Sequence, residues 1–239
     1  MKIHKTQGFT LIELLVVIAI IAVLASIAIP VYGTAQERAL RTKCLAQAKG
    51  VFPALKMFAG DHDGSFPTYT AQDENTGNNA ELKDANDAYA NLIPGYLSNE
   101  SPFGNSASKY CKDSTGAAKG PDNDISTQNK ILEKGENTYA YMRGLSETSN
   151  SSYPIIADGF AVGSEADPKY SKKEGDYGAQ WKGKYAIIVR CDGSATTENV
   201  NSKNLKVLRK GAGNKNMFKE DTSDNDPWLV GVKVLNPRS

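Results

Sequence analysis

From Leu14 through Gln36 the chain carries no formal charge, a run of 23 residues dominated by isoleucine, valine, leucine and alanine. As a helix it rises about 35 Å, enough to cross a hydrocarbon core of about 30 Å. A run this long and apolar is a membrane span or the core of a signal peptide. Its flanks give it a direction. Met1 to Gly8 (MKIHKTQG) contains Lys2 and Lys5 and no acid, which predicts a cytoplasmic start and an outward-facing remainder. A cleaved secretory signal is the alternative, with small residues at Ala25 to Ala28, but Pro30, Val31 and a helix-compatible pattern follow them directly.

Composition narrows the function classes. The whole chain has 239 residues with 28 Lys and Arg against 27 Asp and Glu, too balanced for a protein built mainly to grip nucleic acid. Two histidines, His4 and His62, leave no material for a multi-histidine zinc centre and little for imidazole-based catalysis.

Glu13 is the anomaly in the apolar segment. A carboxylate inside a membrane helix costs about 2.5 to 3.5 kcal/mol at the bilayer centre and less near the end, so it either reaches the cytoplasmic headgroups or has a partner. Beyond the run, Tyr32 to Ala59 stays helix-compatible and becomes amphipathic. Cys44, Ala48, Phe52, Leu55 and Ala59 form one stripe, with Arg38, Lys43, Gln47 and Lys49 opposite. One helix from Phe9 to about Ala59 would be about 77 Å long, bent or locally opened at Pro30, Gly33 and Pro53. Two helices broken at Pro30 are the alternative.

The remainder predicts a small mixed head. Gly60 to Thr70 is dense in turn residues, and its Asp61, His62 and Asp63 read as a solvated turn. Asn79 to Leu97 predicts a second helix ended by Pro94-Gly95, and the polar stretch Ser98 to Glu136 a long surface loop or partly disordered excursion. Strand signals follow at Tyr139 to Met142, Tyr153 to Ala157 and Tyr185 to Cys191, then a primed hairpin turn at Asp192-Gly193 into Ser194 to Val200. Leu205 to Leu208 is a weak element and Trp228 to Val234 a last strand. The fold class is therefore α+β, a long N-terminal helix packed on a small antiparallel sheet.

Gly8-Phe9-Thr10-Leu11-Ile12-Glu13, together with the basic leader, the apolar run and Pro30, resembles the N-terminus of the type IV pilin superfamily, which includes type IV pilins and the pseudopilins of type II secretion. The resemblance implies cleavage by a prepilin peptidase between Gly8 and Phe9, N-methylation of Phe9, and an apolar helix retained in the mature chain. Residues 1–8 would be the leader, 9–31 the membrane and filament-core segment, and 32–239 an amphipathic half-helix with its globular head. Glu13 would pair with the N-terminal ammonium of a neighbouring subunit, so that two buried charges offset each other where either alone would be penalised. The implied partners are other copies and other pilins, the peptidase and methyltransferase, inner-membrane lipid before assembly, and pilus or secretion machinery, without nucleic acid. The implied location is the bacterial inner membrane as a single-pass protein, then a periplasmic or extracellular filament.

Further landmarks resemble a pilin-like family of planctomycete and verrucomicrobial lineages: Cys44 to Gln47, Asp63 to Pro67, Tyr96-Leu97 with the later Cys111, and Val189 to Ser194. That family's histidine, nine residues before Asp-Gly, is Lys182 here. Any function of that imidazole does not transfer. With the head in an oxidising compartment, the landmarks favour a disulfide between Cys44 and Cys111, with Cys111 to Cys191 as the alternative and three reduced thiols as a third state.

No cofactor is expected. The calcium loop of major secretion pseudopilins is not recognisable, and Asp221, Asp224 and Asp226 are spaced like a solvated loop, leaving calcium there unsupported. Catalysis would have to rely on carboxylates such as Asp61, Asp63 and Asp158, of which Asp158-Gly159 reads more simply as a strand-end turn, and Gly211-Ala212-Gly213 lacks the Lys-Ser/Thr of a phosphate loop. A structural, non-enzymatic subunit is the first reading. A low-copy surface or tip binding module, using Ser98 to Glu136 or Lys219 to Asp226, is the second.

Overall fold

The computed structural model describes residues 10–70, 80–224 and 226–239, with backbone alone at residues 28, 30 and 31. The first element, α1, runs over Leu11–Asp61 as one helix of 51 residues. The chain forms two compact units divided between Lys43 and Cys44, so the last third of α1 belongs to the second unit. Within α1 the stretches Leu11–Ile27 and Tyr32–Asp61 incline by 44° across a short break that contains Pro30. At Pro53 the helix continues without interruption and the ring lies on the exposed side.

In the second unit α1 buries one broad face. Cys44, Ala48, Phe52, Leu55 and Ala59 are all buried, and Val51, Ala54 and Phe58 widen the stripe. The helix ends where Asp63 and Gly64 both take positive φ (51° and 77°) and the Gly64 amide returns to the Ala59 carbonyl at 2.8 Å. Glycine meets that backbone demand without a Cβ penalty.

Five antiparallel strands follow: β1 Tyr139–Arg143, β2 Pro154–Asp158, β3 Tyr185–Arg190, β4 Ala195–Asn199 and β5 Lys233–Leu235, in the order β4-β3-β2-β1-β5. The central strands carry the longest apolar runs, as strands covered on both faces must, and β2 is buried throughout. Three buried tyrosines spend their hydroxyls on carbonyls from distant segments. Tyr139 bonds Cys44 at 2.8 Å, Tyr141 bonds Pro67 at 3.0 Å and Tyr89 bonds Ala140 at 2.9 Å. Each large apolar ring thus enters the core without leaving a polar atom unsatisfied.

The structure departs from the sequence expectations in four places. The second helix, α2, is only Ala85–Ala90, capped by Asp84 accepting from the Asp87 amide at 3.1 Å. Its expected first turn is drawn into an extended bridge between Tyr69 and Glu81, where Thr70 N donates to Ala80 O at 2.8 Å. The turn after β3 is not of the primed type. Gly193 N returns to Arg190 O at 2.8 Å and Gly193 has φ 79°, while Asp192 stays at negative φ, so a type I turn followed by a left-handed glycine joins the strands. Of Trp228 to Val234 only the end enters the sheet. Leu229 and Gly231 at positive φ break the run, and Trp228 instead makes a two-bond bridge to Asp221.

The fourth departure is the stretch Ser98 to Glu136, which is a folded layer and not a disordered excursion. Short 3₁₀ turns at Ser101–Phe103, Lys109–Cys111 and Gln128–Lys130 place Phe103, Tyr110, Cys111, Ile131 and Leu132 in the core. The fully buried Glu100 organises it, its carboxylate accepting from Leu132 N at 2.5 Å and Asn123 N at 3.0 Å. Two backbone donors far apart in sequence are thereby satisfied by one side chain.

Candidate functional site

The N-terminal stretch of α1 is the part of the chain with the least cover. Among the described residues every large hydrophobic from Leu11 to Ile29 is about half exposed or more, from Val17 at 45% to Leu11 at 78%. Full burial of such a side chain is worth about 1.5 to 3 kcal/mol, so a surface of this size is a powerful drive toward lipid or toward like helices. Among the described residues no single straight helix is long and apolar enough to cross a membrane, while the bent pair Leu11–Ile27 and Tyr32–Asp61 together has that length and composition.

At the start of this helix Thr10 and Glu13 bond each other reciprocally. Glu13 Oε2 accepts from Thr10 N at 2.8 Å and from Thr10 Oγ1 at 2.7 Å, and Glu13 N donates back to Thr10 Oγ1 at 3.3 Å. This is a capping box, in which a threonine and the acid three residues later satisfy donors that a helix N-terminus leaves without partners. The carboxylate is therefore held at the helix start, where the helix dipole favours negative charge. Further along, Ser26 Oγ folds back to Val23 O at 2.7 Å, so the stretch presents almost no unsatisfied polarity. Gly8 and Phe9 lie outside the described residues. Thr10 as the capping partner was missed in the sequence, where the T-x-x-E spacing is the signal that could have found it.

Other candidate positions are accounted for within the head. His62 stacks on Phe58 at 3.8 Å, its Nδ1 lying 2.7 Å from the Phe58 carbonyl, and Asp61 accepts from Tyr96 Oη at 2.9 Å. Asp158 is far from solvated, being fully buried, with Oδ2 accepting from Trp181 Nε1 at 2.6 Å and Ile187 N at 2.7 Å. Burial pushes its carboxyl up to about 6 against these two bonds. Lys182 pairs with Glu174 at 3.1 Å on the surface. Asp221 and Asp226 face bases, Lys215 at 2.5 Å and Arg209 respectively, and do not converge with Asp224 on a common point.

Neither expected disulfide is formed. Cys44 and Cys111 are buried and Cys191 is partly exposed, none of them bridged. Cys111 Sγ instead accepts from the Asn105 amide at 3.3 Å inside its turn, and burial pushes the Cys111 and Cys191 thiols up to about 11. The landmarks mark packing positions here. A carboxylate cluster that sequence reading passed over, Glu100, Asp122 and Glu136, gathers within the folded layer of residues 98–136. Its members are 14 to 36 residues apart in sequence, so no local spacing announces it.

Residues 3–29 match the family model for the prokaryotic N-terminal methylation motif. The chain is 41% identical over 59 residues to the type IV major pilin protein PilA of Myxococcus xanthus, covering 25% of this chain and 27% of that protein. It is 43% identical over 60 residues to the prepilin peptidase-dependent protein D of Escherichia coli, covering 25% of this chain and 41% of that protein. The similarity thus spans well under half of either relative. No solved structure matches the chain. Over its N-terminal segment the chain is thus similar to type IV pilins, and the long helix followed by an antiparallel sheet is an α+β, pilin-like architecture.

Proposed function

We propose that this chain, bearing the N-terminal segment of the type IV pilin superfamily, is a structural subunit that is cut after Gly8, methylated at Phe9 and polymerised through its apolar helix. The observation that carries this reading is the exposed apolar stretch from Leu11 to Ile29 with one capped carboxylate at its head. Before assembly lipid covers that stretch, with the N-terminus cytoplasmic and the head outside. In the filament neighbouring copies cover it.

The single acid has a place in both states. In the separate subunit Glu13 is satisfied by Thr10. Cleavage creates an ammonium at Phe9, and a neighbour's ammonium then meets the Glu13 carboxylate, so that two charges entering an apolar core offset each other. Contacts that repeat head to tail without closing produce a helical polymer. Prepilin peptidase with its methyltransferase activity, and the pilus or type II secretion machinery, are the partners this route requires.

The decisive experiment is expression with a prepilin peptidase and purification of surface filaments. The chain is found in them, beginning at methylated Phe9, if the reading is right. A second reading, a low-copy tip or surface binding module on the same helix, is separated by copy number along the filament. A bulk subunit repeats at every position and a tip module does not.

A further inference from the structure

Residues 203–219 hold six bases and no acid, in a chain whose 28 bases and 27 acids otherwise balance. At their centre is a hairpin, with Leu208 bridged to Asn216 and Arg209 N donating to Lys215 O at 2.9 Å. Against this hairpin lies a cavity of about 380 Å³, lined by Arg190, Arg209 and Lys210, with Trp228 and Met217 as its apolar wall and Asp226 as its one acid among the described residues. Gly211, at the hairpin tip, takes φ 79° and brings no side chain into the cavity it lines.

Arg209 is held in place by packing. Its guanidinium lies 4.7 Å over the Trp228 ring, and Trp228 is itself fixed by the edge of Tyr153 at 4.8 Å and by its Nε1 donating to Met217 O at 2.8 Å. A guanidinium positioned in this way loses little freedom when it takes a planar anion. The Arg209 side chain is only 7% exposed, and its buried Nη1 has no hydrogen-bond partner among the described residues, which is costly for a buried charge. Its Nη2 pairs with Asp226, whose own side chain is 60% exposed, so the carboxylate that Arg209 already holds reaches it from the surface. The other acids nearby have partners of their own. Glu198 pairs with Arg190 at 2.8 Å and with Lys210 at 3.6 Å, and Asp221, 3.9 Å from Arg209, pairs with Lys215 at 2.5 Å. Three lining bases against Asp226 and Glu198 leave one positive charge for a ligand.

We propose that this cavity binds a ring-bearing carboxylate of the sugar-acid class, whose carboxylate takes the place of Asp226 on Arg209 with Lys210 as its second cation. The planar fork of Arg209 matches a carboxylate, and the volume falls in the range of small-molecule sites. A lining that mixes charge with the apolar surfaces of Trp228 and Met217 suits a hydroxylated ring better than a wholly apolar acid. Asp226 is then an internal competitor that keeps the guanidinium paired until a ligand arrives. The site uses neither Glu13 nor the apolar helix, so its failure and the failure of the assembly reading are separate results.

The test is isothermal titration and thermal unfolding of the full chain in detergent with sodium glucuronate, against glucose and sodium sulfate at matched ionic strength. Glucuronate binds saturably, with a dissociation constant of about 1 mM as its size allows. Lys210→Gln, at a side chain 85% exposed, keeps the fold and weakens binding about tenfold. Asp226→Asn removes the competitor and tightens binding about tenfold. An oligoglucuronate that binds more tightly than the monomer makes a polysaccharide the source of the ligand, and equal affinity makes it the free acid; either result upholds the site. The proposal is overturned if glucose or sulfate matches glucuronate. It is equally overturned if wild type, Lys210→Gln and Asp226→Asn, each with native circular dichroism, titrate alike.

Discussion

The Glu13 carboxylate closes on Thr10 of its own chain, 2.8 Å from the amide and 2.7 Å from the hydroxyl, at the first turn of a helix otherwise apolar for its next five turns. A buried or membrane-embedded acid is tolerated because its lone pairs are already occupied. In the proposed assembly the same carboxylate, held by Thr10, is the group an incoming ammonium would share.

Replacing Glu13 with Gln or Ala leaves insertion and head folding intact, because neither depends on the capping box, whose loss costs about 1 kcal/mol at one helix end. Filament yield falls to near zero. Fractionation and electron microscopy of the same cells read both outcomes, and normal filaments from Glu13→Ala would remove the charge-pairing role.

Gly193 sits at φ 79°, and a Cβ built on it would come within 2.9 Å of the Phe52 ring. An alanine there takes a left-handed conformation costing about 1 to 2 kcal/mol and also pushes against the face of α1. Gly193→Ala should lower the melting temperature of the head by several degrees, whereas Gly211→Ala, with nothing within 4 Å, should lower it less. Both are read by circular dichroism.

Burial raises the Asp158 carboxyl to about 6 against an ordinary value of 3.8. A raised carboxyl pKa means the folded state binds the proton more tightly than the unfolded one. Its share of stability is therefore present below about pH 4 and lost as pH rises to about 6, by about 3 kcal/mol. Asp158→Asn keeps an acceptor for Trp181 and Ile187 and removes the titration. Wild type minus variant stability should fall across that window and stay flat above it, in denaturant unfolding at stepped pH.

The three cysteines should be recovered as thiols. Alkylation of the native protein modifies Cys191, which is partly exposed, ahead of the buried Cys44 and Cys111. Peptide mapping without reductant that finds Cys44 joined to Cys111 would contradict the structure directly.

Much of the architecture is readable from periodicity. The stripe from Cys44 to Ala59 faces the core as its spacing requires, and the apolar cores of β1, β2 and β3 announce themselves because they are buried on both faces. What escaped depends on contacts distant in sequence. Glu81 reads as helix-compatible, but its carboxylate is claimed by Arg143 at 2.5 Å and its backbone by Tyr69, so α2 starts later. Ser98 to Glu136 reads as loop because its buried anchors, Phe103, Tyr110, Ile131 and Leu132, follow no period, and the Glu100 carboxylate that holds the Leu132 amide lies 32 residues away in sequence. The Thr10-Glu13 pair went unread although its T-x-x-E spacing is a local signal. The Glu100, Asp122 and Glu136 cluster has no such signal, because only the folded layer brings it together.

Mass spectrometry of the N-terminal peptide, taken from filaments purified off the cell surface, tests the central claim most directly. A peptide beginning at Phe9 and heavier by one methyl group, present at a stoichiometry matching the filament's bulk, is the predicted result. A chain that retains Met1, starts elsewhere without methylation, or is absent from the filaments contradicts it.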